Sequence, residues 1–212
     1  TDVGAVTDSN NAADTVAENS AAGTGTGVTA SATDADGTTN GITYAVNAQS
    51  CSNVFGVDSS SGVVTVADNS NLNFEVAASC TVTITATSAD TSTSSETFTI
   101  AVTDANDAPV ITSTAVTSST EDSAYAYTVT ASDADTSDTL TMAGTTVPAW
   151  LSFDDTTGAL TGTPAGANVG DHNVVITVSD GSASVTDSFT ITVANSNDCL
   201  LYTSDAADDG VG

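Results

Sequence analysis

The chain has 212 residues, with 27 Asp and Glu, one His and no Lys or Arg, which sets its formal net charge at −27 at pH 7. Phosphate is bound through Lys and Arg, so nucleic acid and anionic lipid are poor partners, and phosphoryl-transfer and Schiff-base chemistries lack their usual side chains. A hydrophobic content of 39%, arranged in clean alternation, separates the chain from an acidic disordered segment.

The length suits about two domains, and no stretch approaches the roughly 20 apolar residues of a membrane span. Residues 1–12 read as the end of a preceding repeat and its linker. The reason is that Val6-Thr7-Asp8-Ser9-Asn10-Asn11-Ala12-Ala13 recurs as Val102-Thr103-Asp104-Ala105-Asn106-Asp107-Ala108-Pro109, and more weakly as Val193-Ala194-Asn195-Ser196-Asn197-Asp198. A period of roughly 90–100 residues is a whole domain rather than a solenoid unit. In the first full repeat, residues 13–108, Val82, Ile84 and Ala86 share one face of a strand, with Thr81, Thr83, Thr85 and Thr87 on the other. Cys51 and Cys80 fall in this repeat and could close one disulfide in an oxidising compartment; the alternative is two unpaired, half-buried thiols. In the second repeat, residues 109–198, Val174, Ile176 and Val178 alternate in the same way, as do Phe189, Ile191 and Val193. Period-two patterns rich in Val, Ile and Thr, broken by Asp, Gly and Ser turns, predict an all-β chain of two tandem Greek-key β-sandwiches. Residues 199–212 open with Cys-Leu-Leu-Tyr-Thr-Ser-Asp-Ala-Ala-Asp-Asp, which one reading frame of a transposase-type sequencing adapter encodes. This segment reads as a non-native tail on a gene from shotgun sequence, and Cys199 is given no function.

Asp104 to Pro109 combines closely spaced oxygen ligands with a proline that stiffens the chain between the two repeats. Calcium takes roughly 6–8 carboxylate, amide and carbonyl oxygens, which makes it the first suspect. Asp133 and Asp135, two positions apart in a segment read as extended, would project their carboxylates to one side and could share a cation. An upstream set of Asp8, Asn10, Asn11, Asp34 and Asp36 is poorer. Asp34-Ala35-Asp36-Gly37 is not an EF-hand, because Gly comes fourth and Ala45 stands at position twelve. A Ser-His-Asp triad would have to use His172, and no GxSxG elbow is present, so the chain reads as no enzyme. Trp150 reads as a core plug rather than a sugar platform, since large aromatics mostly serve burial.

The first repeat resembles a cadherin domain. Ala17-Glu18-Asn19 is similar to the family's opening motif, Asp34-Ala35-Asp36 to its DxD, and Phe55-Gly56-Val57-Asp58 with Ser61-Gly62-Val63-Val64 to its hairpin. Leu72-Asn73-Phe74-Glu75 resembles the LDxE element, with Asn73 in place of Asp, and Asp104 to Pro109 resembles the DxNDxxP linker. Ser88 stands where a late aspartate is expected. The second repeat resembles the dystroglycan-type cadherin-like, Ig-like variant, through Pro148 to Asp154, Thr157 to Pro164, Val178-Ser179-Asp180-Gly181 and Asp133-Ala134-Asp135.

The resemblance implies Ca2+ at the domain junction. Its ligands would be Glu18, Glu75, Asp104, Asn106, Asp107, Asp133, Asp135 and Asp180, with the carbonyls of Ala105 and Ala108; Asn73, Asp34 and Asp36 would be weaker. Affinity would be roughly 10⁻⁴–10⁻³ M, as in extracellular modules. It further implies a segment of a large bacterial surface protein, extracellular, with adjacent cadherin-like repeats of the same chain as partners. Its role would be cell adhesion or an adhesin stalk toward a surface or glycan ligand, without inserting into a membrane. Homophilic strand exchange lacks an N-terminal Trp anchor here. The other reading is a carbohydrate-binding or spacer module of a secreted polysaccharide-active enzyme.

Overall fold

The structure, a computed structural model, describes residues 2–35 and 41–196. It divides into two compact units, Thr1–Asn106 and Asp107–Gly212.

The first unit is a sandwich of β1 (Thr7–Asp8), β2 (Thr15–Ala17), β3 (Gly25–Ser31), β4 (Ile42–Gln49), β5 (Phe55–Val57), β6 (Val63–Val66), β7 (Ser79–Ser88) and β8 (Thr93–Thr103). One sheet runs β1-β3-β6-β5 and the other β2-β8-β7-β4. The period-two pattern decides which side chains meet. Val82, Ile84 and Ala86 of β7 are fully buried, with Ile100 and Val102 of β8, against Val28, Ala30, Val64 and Val66 of the other sheet. Each of the Val and Ile side chains contributes about 1.5–3 kcal/mol of burial, and each Ala less. The opposite face of the β7–β8 hairpin carries hydroxyls that pair across the strands, Thr83 with Thr97 at 2.8 Å and Thr85 with Ser95 at 2.7 Å. Cys51 and Cys80 form a disulfide with a Cα–Cα distance of 5.6 Å, which settles the alternative left open by their spacing.

Residues 2–12, assigned from sequence to a preceding repeat and linker, fold as part of this first unit. Thr7 and Asp8 pair antiparallel with Ser31 and Ala30, and Val3 and Val6 are buried in the core. Asp8 does not stand where Asp104 does, because its Oδ1 accepts the Thr29 N–H of β3 at 2.8 Å. Two apolar side chains with a core to enter outweigh a short likeness built from Asp, Asn and Ala.

The second unit contains β9 (Val110–Ile111), β10 (Ser118–Thr120), β11 (Tyr125–Thr128), β12 (Ala131–Ser132), β13 (Thr141–Thr146), β14 (Leu151–Asp154), β15 (Ala159–Gly162), β16 (Gly170–Ser179) and β17 (Ser184–Ala194), with one 3-10 turn at Gly166–Asn168. A four-stranded sheet, β10-β17-β16-β13, faces a three-stranded one, β11-β15-β14, and β9 pairs with β12. Val174, Ile176 and Val178 meet Ile191, Val193, Leu160, Tyr125 and Tyr127 in its core. Trp150 packs against that core, edge-on to Tyr125 at 5.8 Å and to His172 at 5.7 Å.

Both units use one hairpin device. Asp58 Oδ1 accepts the N–H groups of Ser60 and Ser61, and Asp154 Oδ1 those of Thr156 and Thr157. Gly62 (φ 74°) and Gly158 (φ 71°) follow in the left-handed region and donate back to Asp58 and Asp154. A Cβ at either would collide with the backbone carbonyl of Ala30 or Val129, so glycine is required there.

Candidate metal-ligand sets

In the first unit the parallel pairing of β2 with the end of β8 delivers Glu18. Thr15 to Ala17 pair with Ala101 to Thr103, and the next amide, of Glu18, donates to Thr103 O at 3.0 Å. Glu18 is 2% exposed. Its Oε2 accepts the Phe74 N–H at 2.7 Å, and its Oε1 accepts the Ala105 N–H at 2.9 Å. One buried carboxylate therefore ties the loop carrying Glu75 to the chain leaving β8. The exposed Glu75 carboxylate comes within 4.8 Å of an oxygen of Glu18 and of an oxygen of Asp104. Asn73 sits in the same loop, but its Oδ1 accepts the Val76 N–H at 2.7 Å and so caps its own turn. Asp104 and Asn106 are exposed at the exit of β8, and Ala105 is half-buried between them.

In the second unit Asp133 and Asp135 follow β12 in a bend rather than in an extended segment. The cause is local: Asp133 Oδ1 accepts the Asp135 N–H at 3.1 Å, and Asp135 O accepts the Asp138 N–H at 2.9 Å. Short Asp side chains bend the backbone around themselves in this way. Asp135, 9% exposed, accepts the Asp107 N–H at 2.8 Å through Oδ2. Asp133 Oδ2 is buried and has no hydrogen-bond donor. Ala108 is exposed two residues before β9. Asp180 is drawn into the β16–β17 turn, where its Oδ1 accepts the amides of Ser182 and Ala183, both at 2.6 Å. Among the described residues no group of three close carboxylates includes Asp180 or Asp34. Asp34 is half-buried, and Asp36 lies outside the described residues.

The electrostatics of these groups are compatible with a hard cation. Carboxylates gathered within 4.8 Å repel, by about 1 kcal/mol at 4 Å in water and about 4 at an intermediate effective dielectric. The chain has no Lys or Arg to relieve this. In the first unit the oxygens gathered around Glu75, and in the second the buried, donor-free Oδ2 of Asp133, are each of the kind Ca2+ takes as ligands. Elsewhere backbone amides take the place of counter-ions. Hydrogen bonds from Ser61 and Ser60 hold Asp58 below the ordinary carboxylate range, those from Ser70 lower Asp68, and those from Thr156 and Thr157 lower Asp154. Asp90, bonded by the Ser92 amide and the Ser88 hydroxyl, is lowered to about 2. Asp14 goes the other way, raised first by burial and then by the nearby Asp8.

Sequence reasoning missed Glu121, which is 2% exposed and follows β10 as Glu18 follows β2. The signal was present: Thr120-Glu121-Asp122 parallels Ala17-Glu18-Asn19, and Asp122 and Asn19 share a positive φ, of 60° and 57°.

Comparison with known proteins assigns each unit separately. Residues 14–103 match the model described as "Cadherin domain", and residues 108–194 the one described as "Putative Ig domain". Among solved structures, PcdhgB3 EC1-4 is similar at TM-score 0.53 and 22% identity, covering 91% of this chain and 51% of that one. Mouse Cadherin-23 EC22-24 is similar at TM-score 0.52 and 16% identity, covering 87% and 63%. Human CDH23 EC21-23 gives 0.51 and 19%, covering 86% and 66%. The chain thus spans about half to two thirds of these three solved chains. No curated protein matches it significantly.

Proposed function

From a chain that carries a cadherin domain at residues 14–103 followed by an Ig-like domain at 108–194, we propose a calcium-binding segment of an extracellular adhesion-type protein. Glu18, Glu75 and Asp104 would supply carboxylates from the first unit, and Asp107, Asp133 and Asp135 from the second. Asn106 and the carbonyls of Ala105 and Ala108 would complete the shell. Calcium supplies charge compensation here: it relieves crowded carboxylates and restrains residues 104–109 between the domains. It sets orientation rather than folding, because each unit has its own closed core. In a chain of such domains this makes a stalk or adhesive arm, and we place it on the surface of a bacterium.

The observation that carries this reading is the approach of the Glu75 carboxylate to that of Glu18 and to that of Asp104 in a chain without Lys or Arg. Terbium luminescence, displaced by calcium, tests it on wild type and on Glu18→Gln, which removes one charge and leaves one acceptor oxygen for the Phe74 and Ala105 amides. The variant is expected to lose about tenfold in affinity, about 1.4 kcal/mol. Equal affinities in the two proteins would remove Glu18 from the cation's shell.

A further inference from the structure

The second unit repeats the Glu18 arrangement with a different chemistry. Ser118 to Thr120 of β10 pair in parallel with Thr192 to Ala194 of β17, and the Glu121 amide donates to Ala194 O at 3.0 Å. In the first unit the Glu18 amide makes the same bond to Thr103 O. Two residues past each of these carbonyls, an amide turns back to the glutamate: Ala105 N to Glu18 Oε1 at 2.9 Å, and Ser196 N to Glu121 Oε1 at 2.6 Å. The two glutamates are equally buried.

What surrounds them differs. The residue after the strand end is Asp104 in one unit and Asn195 in the other. A carboxylate only accepts hydrogen bonds, whereas an amide donates. Asn195 Nδ2 accordingly donates to Glu121 Oε1 at 2.7 Å. The loop that brings Glu75 to Glu18 has as its counterpart residues 163–170, which contain no Asp or Glu. That loop closes directly on the glutamate: Asp122 N donates to Pro164 O at 2.7 Å, and a Cβ on Gly166 would come within 2.8 Å of Glu121 Oε2. Among the described residues no close group of three carboxylates contains Glu121.

We propose that Glu121 is a positioning residue that clamps residues 195–196 to the second unit through hydrogen bonds alone, without a metal ion. Charge-assisted bonds to a buried carboxylate are among the stronger ones in proteins, and two converge on a single oxygen here. The chain leaving β17 is then held by two donors in calcium-free medium, whereas the chain leaving β8, held on Glu18 by the Ala105 amide beside crowded carboxylates, tightens further when calcium binds. This contrast rests on the calcium reading of Glu18; the Glu121 clamp does not.

Amide hydrogen exchange by NMR on the whole chain, in chelator and then in calcium at several times its roughly millimolar dissociation constant, separates the two. The Ser196 amide is expected to be protected in chelator and unchanged by calcium. Asn195→Asp replaces the donor with a like charge at an exposed position and should lower that protection about tenfold, the scale of one charge-assisted bond. An unprotected Ser196 in chelator, protection that appears only with calcium, or full protection in Asn195→Asp would each overturn the clamp. An Ala105 amide that ignores calcium would instead remove the contrast, with the calcium reading decided by the terbium titration, and the Ser196 result would still stand alone.

Discussion

At the scale of the residue, this chain answers the lack of Lys and Arg with its own backbone. Asp58, Asp68, Asp90, Asp154 and Asp180 each accept amides from residues two or three positions on. Bonds to the ionised form favour it, so Asp90 is lowered from 3.8 to about 2. A depressed folded-state value contributes stability that is present above about pH 4 and lost as pH falls through about 2. Asp14, raised by burial and by Asp8, has the opposite sign and contributes stability at low pH that is lost as pH rises through its folded value. Thermal unfolding of chelated protein between pH 4 and 2 should therefore fall more steeply in wild type than in Asp90→Asn; parallel curves would rule Asp90 out. Turn-forming Asp residues were legible in the sequence, since Asp-x-x-x-Gly patterns such as Asp58 to Gly62 and Asp154 to Gly158 have a local mechanism. The bend at Asp133–Asp135 was not, because the same side chain that could reach a cation also bonds the amide two residues on. Glu121 escaped because its partners are an amide side chain and a backbone N–H seventy-odd residues away in sequence.

At the scale of the element, alternation carried the reading well. Val82, Ile84 and Ala86 point inward with hydroxyls opposite, and Val174, Ile176 and Val178 point inward with Asn173, Val175, Thr177 and Ser179 opposite. Period-two patterning names the buried face without any tertiary information. Two elements were not legible for different reasons. The short β1 is only two residues long and lies within a stretch of Asp, Asn, Ala and Ser, so no period could identify it. The disulfide joins the turn after β4 to the start of β7, and spacing says nothing about whether two Cβ atoms face each other. With a sequence separation of 29, the bridge removes unfolded-state entropy worth roughly 3–4 kcal/mol. Reduction, or Cys51→Ala with Cys80→Ala, should lower the denaturant midpoint of the first unit and leave the second unchanged. Coincident shifts in both units would show that they do not unfold separately.

At the scale of the whole molecule, 27 acidic side chains and one His form a charge that the fold itself cannot neutralise. Two β-sandwiches with separate cores follow from the alternation and the domain-sized spacing, and the family matches at 14–103 and 108–194 agree with that division. Asp104, Asn106 and Asp107 were conspicuous in the sequence because oxygen ligands and a following proline are concentrated there. Their partner Glu18 was reachable only through the family resemblance, since nothing in its own neighbourhood marks it as buried. The central claim is that these oxygens take up calcium and that this restrains the two domains without folding them. Isothermal calorimetry of calcium into chelated protein, paired with small-angle scattering before and after, tests it most directly. Saturable binding near the roughly 10⁻⁴–10⁻³ M range, with a more extended particle and unchanged β content, is the predicted result. No heat of binding up to several times that concentration, with scattering unchanged by chelation, would contradict it.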